Sequence, residues 1–231
     1  MLIGIIGAMK EEVLPILDQM IQVEIIEYGN QKFYKGKLLG KDVVLTESGI
    51  GKVQAGSTAT ILATIFKVTH LINTGSAGSL LPAGQSNIGD VIISSEVAYH
   101  DVDLTNFGYT AGQLPGQPAV YTADNRLVNL AKGCAGTRNI TGLIVTGDQF
   151  ICTEEQRGKI IGNFPDVAAC DMEGAPIAHI ASNFNIPFVI IRSISDGANI
   201  ESTVKFEDFL PTAAQNAAMI VNQIVCFLDD K

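Results

Sequence analysis

The sequence predicts an α/β fold in which a central mixed β-sheet is flanked by helices. Three observations predict it. Apolar runs of strand length that end near glycine feed stretches with helical spacing, the pattern of strand-to-helix units. Short strand-like stretches around glycine-containing turns add hairpins to the sheet. Finally, 47% of the 231 residues are apolar, enough for one large core without disulfide or metal support. No linker, repeat or low-complexity tract divides the chain, so residues 1–231 are expected to form a single domain.

Taken in order, residues 2–7 are an apolar run ending at Gly7, and residues 8–20 follow with acid in the first turn, a buried strand feeding a helix. Residues 23–27, 31–39 and 42–46 are strand-like around Gly-Asn and Gly-Lys turns. Across 48–66 the spacing of Ala55, Ala59, Leu62 and Phe66 predicts a helix packed closely on the sheet. Residues 69–73 form a strand, and Gly75-Ser76-Ala77-Gly78 reads as a tight turn from strand to helix. A β-branched run covers 90–100, and 107–117 lacks periodicity and is expected to be a loop.

The second half continues the alternation. A short helix at 127–132 precedes a strand at 140–147, and another at 154–161 precedes a strand at 167–171. Residues 172–183 form a helix with Pro176 near its start, where proline is tolerated. The nearly all-apolar 187–195 is expected at the centre of the sheet. The last helix covers about 211–228, with Ala213, Ala217, Ile220, Ile224 and Phe227 on one face.

Composition excludes several functions. With 24 acidic and 15 basic residues the net charge is −9, which repels phosphate backbones and argues against a nucleic-acid partner. The first apolar run, 1–9, is too short to span a bilayer, and its charges follow it instead of preceding it as in a signal peptide. Cys134, Cys152, Cys170 and Cys226 form no CxxC pair and are expected to be reduced, mostly buried thiols of a cytoplasmic protein. Three scattered histidines offer no metal-ligand spacing, so neither a metal nor a cofactor is expected.

Ligands of α/β sheets collect where strands end at their carboxyl side. Those exits carry Met9, Glu11 and Glu12; then Gly75 to Gly78; then Asp148, Phe150 and Ile151; then Met172 and Glu173; then Ser195 and Asp196 after Arg192. No histidine joins them, so any chemistry there is carboxylate chemistry. Each residue also has a purely structural reading. Glu12 and Glu173 suit a helix first turn, worth about 0.3–1 kcal/mol. Asp196 before Gly197 suits a turn, and the Gly75–Gly78 N–H groups suit either a tight turn or an anion. Arg192 is different, because a guanidinium inside an apolar strand requires acidic partners.

These segments carry a resemblance. Gly4-Ile5-Ile6-Gly7-Ala8-Met9-Lys10-Glu11-Glu12, Asn73-Thr74-Gly75-Ser76-Ala77-Gly78, Phe107-Gly108-Tyr109 with Gln113-Leu114-Pro115-Gly116, Gly147-Asp148-Gln149-Phe150-Ile151, Asp171-Met172-Glu173-Gly174-Ala175 and Arg192-Ser193-Ile194-Ser195-Asp196 resemble, in order, the bacterial 5′-methylthioadenosine/S-adenosylhomocysteine nucleosidases of the purine nucleoside phosphorylase superfamily. The resemblance implies a nucleoside phosphorylase-like fold and hydrolysis of the N-glycosidic bond of those nucleosides and of 5′-deoxyadenosine. It also implies a role in methionine salvage and removal of methyl-cycle by-products.

By the same resemblance Asp196 is the general acid toward adenine N7, and Glu12 is the base or orienter of the attacking water. Glu173 holds the ribose hydroxyls with the Met172 backbone, helped by Ser76 and Arg192. Gly78 and Ser195 belong to the substrate-binding set. Phe150, the Ile151 backbone and Phe206 take the adenine, while Met9 and Ile50 line the 5′-alkylthio pocket with Leu104, Phe107 and Pro115 of a second subunit. A homodimer is therefore implied, with the loop over residues 104–115 entering the neighbouring site. Asp171, Gly174 and Pro176 depart from the family's pattern, which bears on how the helix after Glu173 starts.

Two other functions compete with this one. Phosphorylases of the superfamily place arginines in the first strand-to-helix turn and three residues before the serine of the Gly-Ser turn. Here those places hold Glu11 and Glu12, and Asn73, while Arg126, Arg138, Arg157 and Arg192 lie elsewhere. A dianion would meet carboxylates, which favours water as nucleophile. A sensor that kept the pocket and lost the chemistry would most simply lack Glu12 or Asp196, and both are present.

Overall fold

Apolar runs bury themselves as a sheet in the computed structural model, which describes residues 1–198 and 207–229 together with the helical backbone of 202–206. The strands are β1 (Ile3–Gly7), β2 (Ile21–Tyr28), β3 (Gln31–Leu38), β4 (Lys41–Glu47), β5 (His70–Ser79), β6 (Val91–Tyr99), β7 (Tyr121–Thr122), β8 (Asn139–Thr146), β9 (Val167–Asp171) and β10 (Phe188–Asp196). The helices are α1 (Lys10–Leu17), α2 (Lys52–Ile61), α3 (Asn125–Lys132), α4 (Glu154–Asn163), α5 (Gly174–Asn183) and α6 (Ser202–Phe227).

The sheet is mixed, in the order β10-β6-β8-β9-β5-β1-β4-β3-β2, with β10 also pairing β5. That extra pairing closes β5, β9, β8, β6 and β10 into a ring, while β1, β4, β3 and β2 extend outward from β5 as an open wing. Strand β5 serves both parts. Its first half pairs β1 in parallel, from Ile3 with His70 to Ile6 with Asn73, and its end turns to pair β9 through Gly78 and Ser79. Helix α6 packs on β10 and β5 and against α1, and α5 packs on α2 and on β6, β8 and β10. Every residue of β1, β9 and β10 is buried, as strands covered on both faces require.

Several expectations are corrected. Gly75-Ser76-Ala77-Gly78 is not a strand-to-helix turn but a continuation of β5, because β10 pairs the whole stretch and β9 takes up the other edge from Gly78. The helix expected over 48–66 begins only at Lys52: Gly49 (φ 82°) and Gly51 (φ 96°) adopt backbone closed to other residues, and its last turn, Leu62–Phe66, is wound as π-helix. The final helix begins at Ser202, before Pro211, which it carries inside. The expected loop over 107–117 holds no element among the described residues except at Phe107, the last residue of a short helical turn, Thr105–Phe107. Only Cys170 of the four cysteines is buried; Cys134 and Cys152 are half-buried and Cys226 is exposed.

Candidate active site

The carboxyl ends of β1, β5, β9 and β10 surround a cavity of about 290 Å³. Glu12 enters it from the first turn of α1. Its Oε2 accepts hydrogen bonds from the N–H groups of Ala8 (2.7 Å) and Met9 (3.2 Å) at the start of the helix. Its Oε1 accepts from the N–H (3.0 Å) and hydroxyl (3.1 Å) of Ser76 on β5. Four donors thus fix a carboxylate that is only 2% exposed. Burial pushes its pKa above the ordinary range, while the Arg192 charge and the Ser76 and Ala8 hydrogen bonds pull it back. The helix-dipole reading of Glu12 is correct as far as it goes, and the same hydrogen bonds aim the group at the cavity.

Glu173 stands immediately before α5. Its Oε1 accepts from the Gly51 N–H at 2.9 Å, and its Oε2 lies 3.5 Å from Arg192 Nη2. Burial raises its pKa to about 7; the nearby Asp171 and Glu12 carboxylates add to the rise, and Arg192 and the Gly51 N–H oppose it. Asp196 ends β10, where the register with β5 shifts between Ile194 and Asp196. A bulge of this kind re-aims a side chain, and here Asp196 joins the cavity wall. Its Oδ1 accepts from the Ala198 N–H and its Oδ2 from the Ser195 hydroxyl, both at 2.8 Å.

Arg192 does not line the cavity; it lies behind it, 1% exposed. Its Nε donates to Asp171 Oδ2 at 2.8 Å and its Nη2 to Asn73 Oδ1 at 2.6 Å. Burial works against the charge, but the Asp171, Glu173 and Glu12 carboxylates outweigh it and raise the pKa. The acidic partner the sequence demanded is thus chiefly Asp171, read there only as a departure from a pattern. A Cβ on Gly75 would lie 2.6 Å from Arg192 Nη1 and 2.8 Å from Glu12 Oε1, so glycine at 75 lets guanidinium and carboxylate approach across β5.

Of the remaining expected residues, Met9, Ile50, Ser76, Gly78, Phe150, Ile151, Met172 and Ser195 all reach the cavity wall. Ile50 and Phe150 are 55% and 42% exposed, leaving an apolar rim at its mouth. Leu104, Phe107 and Pro115 do not reach this chain's own cavity; Phe107 is 79% exposed. The side chain of Phe206 lies outside the described residues. Gln149, Cys170 and Glu207 also line the wall and were missed. Cys170 and Gln149 adjoin exits that were recognised, whereas Glu207 sits in the part of α6 that precedes the expected helix start at about residue 211. Among the described residues no group of three His, Cys, Asp or Glu is placed to hold a metal ion, and no helix is long and apolar enough to cross a membrane.

Comparison with known proteins gives the family of the chain. The phosphorylase superfamily profile matches residues 2–225. A 5′-methylthioadenosine/S-adenosylhomocysteine nucleosidase from Shewanella frigidimarina is 47% identical over 225 residues, 96% of this chain and 97% of that protein. The crystal structure of such a nucleosidase from Colwellia psychrerythraea 34H, in complex with adenine, superposes with a TM-score of 0.94 at 44% identity, over 97% of this chain and 94% of that one. One from Neisseria meningitidis, in complex with methylthio-immucillin-A, gives 0.95 at 41% identity, over 98% and 99%.

Proposed function

This chain belongs to the 5′-methylthioadenosine/S-adenosylhomocysteine nucleosidase family of the phosphorylase superfamily, and on that premise we propose that it hydrolyses the N-glycosidic bond of 5′-methylthioadenosine, S-adenosylhomocysteine and 5′-deoxyadenosine. The products are adenine and the 5-substituted ribose. One observation carries the choice of water over phosphate: Glu12, Asp171, Glu173, Asp196 and Glu207 lie on the cavity wall, and no Lys, Arg or His is among the described residues there. An uncharged nucleoside and a developing ribosyl cation suit that field, and a phosphate dianion does not.

The reaction needs an acid for the departing base and a delivered water at the sugar carbon, the two-carboxylate logic of glycoside hydrolysis. Asp196, held by Ser195 and Ala198, protonates adenine N7 as the bond to C1′ breaks. Glu12, fixed by Ser76 and the α1 N-terminus, orients the water and takes its proton. Glu173 binds the ribose hydroxyls, and Arg192 acts from behind by balancing the buried negative charge. Adenine lies against Phe150 with its edge on Ile151, and the 5′-substituent lies toward Met9 and Ile50.

The catalytic unit is the single domain 1–231, working in the cytoplasm in methionine salvage and in removal of methyl-cycle by-products. Phe107 and its loop complete the pocket of a second subunit in a homodimer, which accounts for so exposed an aromatic. The deciding experiment follows adenine release from 5′-methylthioadenosine in phosphate-free buffer, with inosine as control. Release without phosphate and rejection of inosine are expected; a strict phosphate requirement with ribose 1-phosphate as product overturns the reading.

A further inference from the structure

Two residues along the chain from the rim residues Ile50 and Phe150 stand Lys52 and Asp148, which with Asp101 form a polar cluster bonded within itself. Lys52, the first residue of α2, donates from Nζ to Asp101 Oδ2 at 2.6 Å, and the same oxygen accepts the Asp148 N–H at 3.0 Å. Asp148 Oδ1 in turn accepts the Lys52 N–H at 2.8 Å, capping the start of α2. One carboxylate of Asp101 thus ties together two segments that are far apart in sequence. The first ends in Gly51, whose N–H donates to Glu173 Oε1 at 2.9 Å. The second runs from Asp148 to Phe150 and Ile151 on the cavity wall.

The cluster is built tightly. The side chains of Lys52 and Asp101 are 25% and 13% exposed, so the pair is stronger than a surface ion pair and screened less by salt. Gly51 is held at φ 96°, and a Cβ there would lie 3.0 Å from Asp148 Oδ1. The Gly51 N–H therefore points at Glu173 only while the turn keeps this shape, and the turn is gripped from the side by Lys52, Asp101 and Asp148.

We propose that Lys52, Asp101 and Asp148 are positioning residues that hold the Gly51 N–H on Glu173 and seat the segment 148–151 against the purine, an inference that rests on the nucleosidase reading above. The groups facing Glu173 are Arg192 from β10, Asp171 from β9, Glu12 from α1 and the Gly51 N–H. Only the last is under the control of this cluster, and its hydrogen bond favours the ionised carboxylate. Loosening the turn therefore raises the pH at which Glu173 ionises and misplaces the ribose contact together.

The test measures kcat/KM for 5′-methylthioadenosine against pH in the wild type, Lys52→Met, Lys52→Arg and Asp148→Ala, each alone and combined with Glu173→Gln. Lys52→Met is expected to lower kcat/KM roughly 10- to 100-fold, the scale set by small misplacements of a binding group. It is also expected to move the acid limb of the profile to higher pH, with partial recovery in Lys52→Arg. In the Glu173→Gln background its effect should shrink to about threefold or less, because residues acting through one another are not additive. Asp148→Ala, at a half-exposed side chain, carries the same expectations and serves if Lys52→Met does not fold. An unmoved acid limb, or the same loss in both backgrounds, overturns the positioning role. A wild type that releases no adenine overturns the nucleosidase reading instead.

Discussion

Gly174 and Asp171 are fitted to each other. The Gly174 N–H donates to both oxygens of the Asp171 carboxylate, at 3.2 and 3.1 Å, and a Cβ on Gly174 would lie 2.7 Å from Asp171 Oδ2. The same Oδ2 accepts from Arg192, and Oδ1 accepts from the Thr146 hydroxyl. Two of the three positions read as departures from the family pattern, Asp171 and Gly174, are thus parts of one arrangement, in which the absent side chain at 174 leaves room for the carboxylate that holds Arg192 behind the site.

Gly174→Ala should therefore destabilise the protein by about 1–3 kcal/mol, the usual cost of overpacking, despite the better helix propensity of alanine. Urea denaturation compared with wild type measures it. A gain in stability would mean that Asp171 can move aside freely.

Asp171→Ala leaves Arg192 buried with its main partner gone, which costs about 3–5 kcal/mol. Adding Arg192→Met should recover part of that loss, since the uncompensated charge is removed as well. The same denaturation series reads both variants, and a double variant no more stable than Asp171→Ala would contradict the account.

Asp196→Asn keeps the shape of the side chain but removes the proton donor proposed at the end of β10. Turnover should fall at least roughly 10²-fold, within the usual range for a positioned acid, with folding intact by circular dichroism. Substantial retained activity would remove Asp196 from its role.

Glu173 gives a pH dependence of definite sign. Its folded-state pKa is about 7 against an ordinary 4.5, so between those values the folded state holds a proton that the unfolded chain has released. Its contribution to stability is therefore full below about 4.5 and is lost as pH rises to about 7. Relative to Glu173→Gln, the wild type should lose stability across that window, and its kcat/KM should fall on the acid side as Glu173 protonates. Parallel stability profiles for the two proteins would refute the shift.

The exposed ring of Phe107 should be covered in solution by a second copy of the chain. Sedimentation at assay concentration is expected to give a dimer, and Phe107→Asp should raise KM for 5′-methylthioadenosine. A monomeric mass with full activity would exclude the shared pocket.

The site was legible as far as strand ends are legible. Glu12, Glu173 and Asp196 each follow a glycine-bounded or all-apolar run, and a single such run tells where the chain leaves the sheet. What surrounds them was less visible. Asp171 and Asn73 sit inside buried strands, and nothing local distinguishes them from ordinary strand-end polar residues until Arg192 is brought between them. Gly75 to Gly78 carried every local mark of a turn, yet pairing with β10 and β9 keeps it extended. Turn propensity is worth little against a ladder that pairs every one of these residues with β10.

By itself, then, the sequence determined the α/β class, most of the order of strands and helices (though not the short β7 or the extended course of 75–78) and the acidic character of the strand exits. Each follows from composition or from periodicity along a few residues. Tertiary structure alone decided that β10 pairs both β5 and β6, that Arg192 stands behind the cavity instead of in its wall, and that the Gly51 N–H meets Glu173 across 122 positions of chain. Those contacts join residues distant in sequence, and their energies arise only when burial removes water from charges that the fold has already placed together.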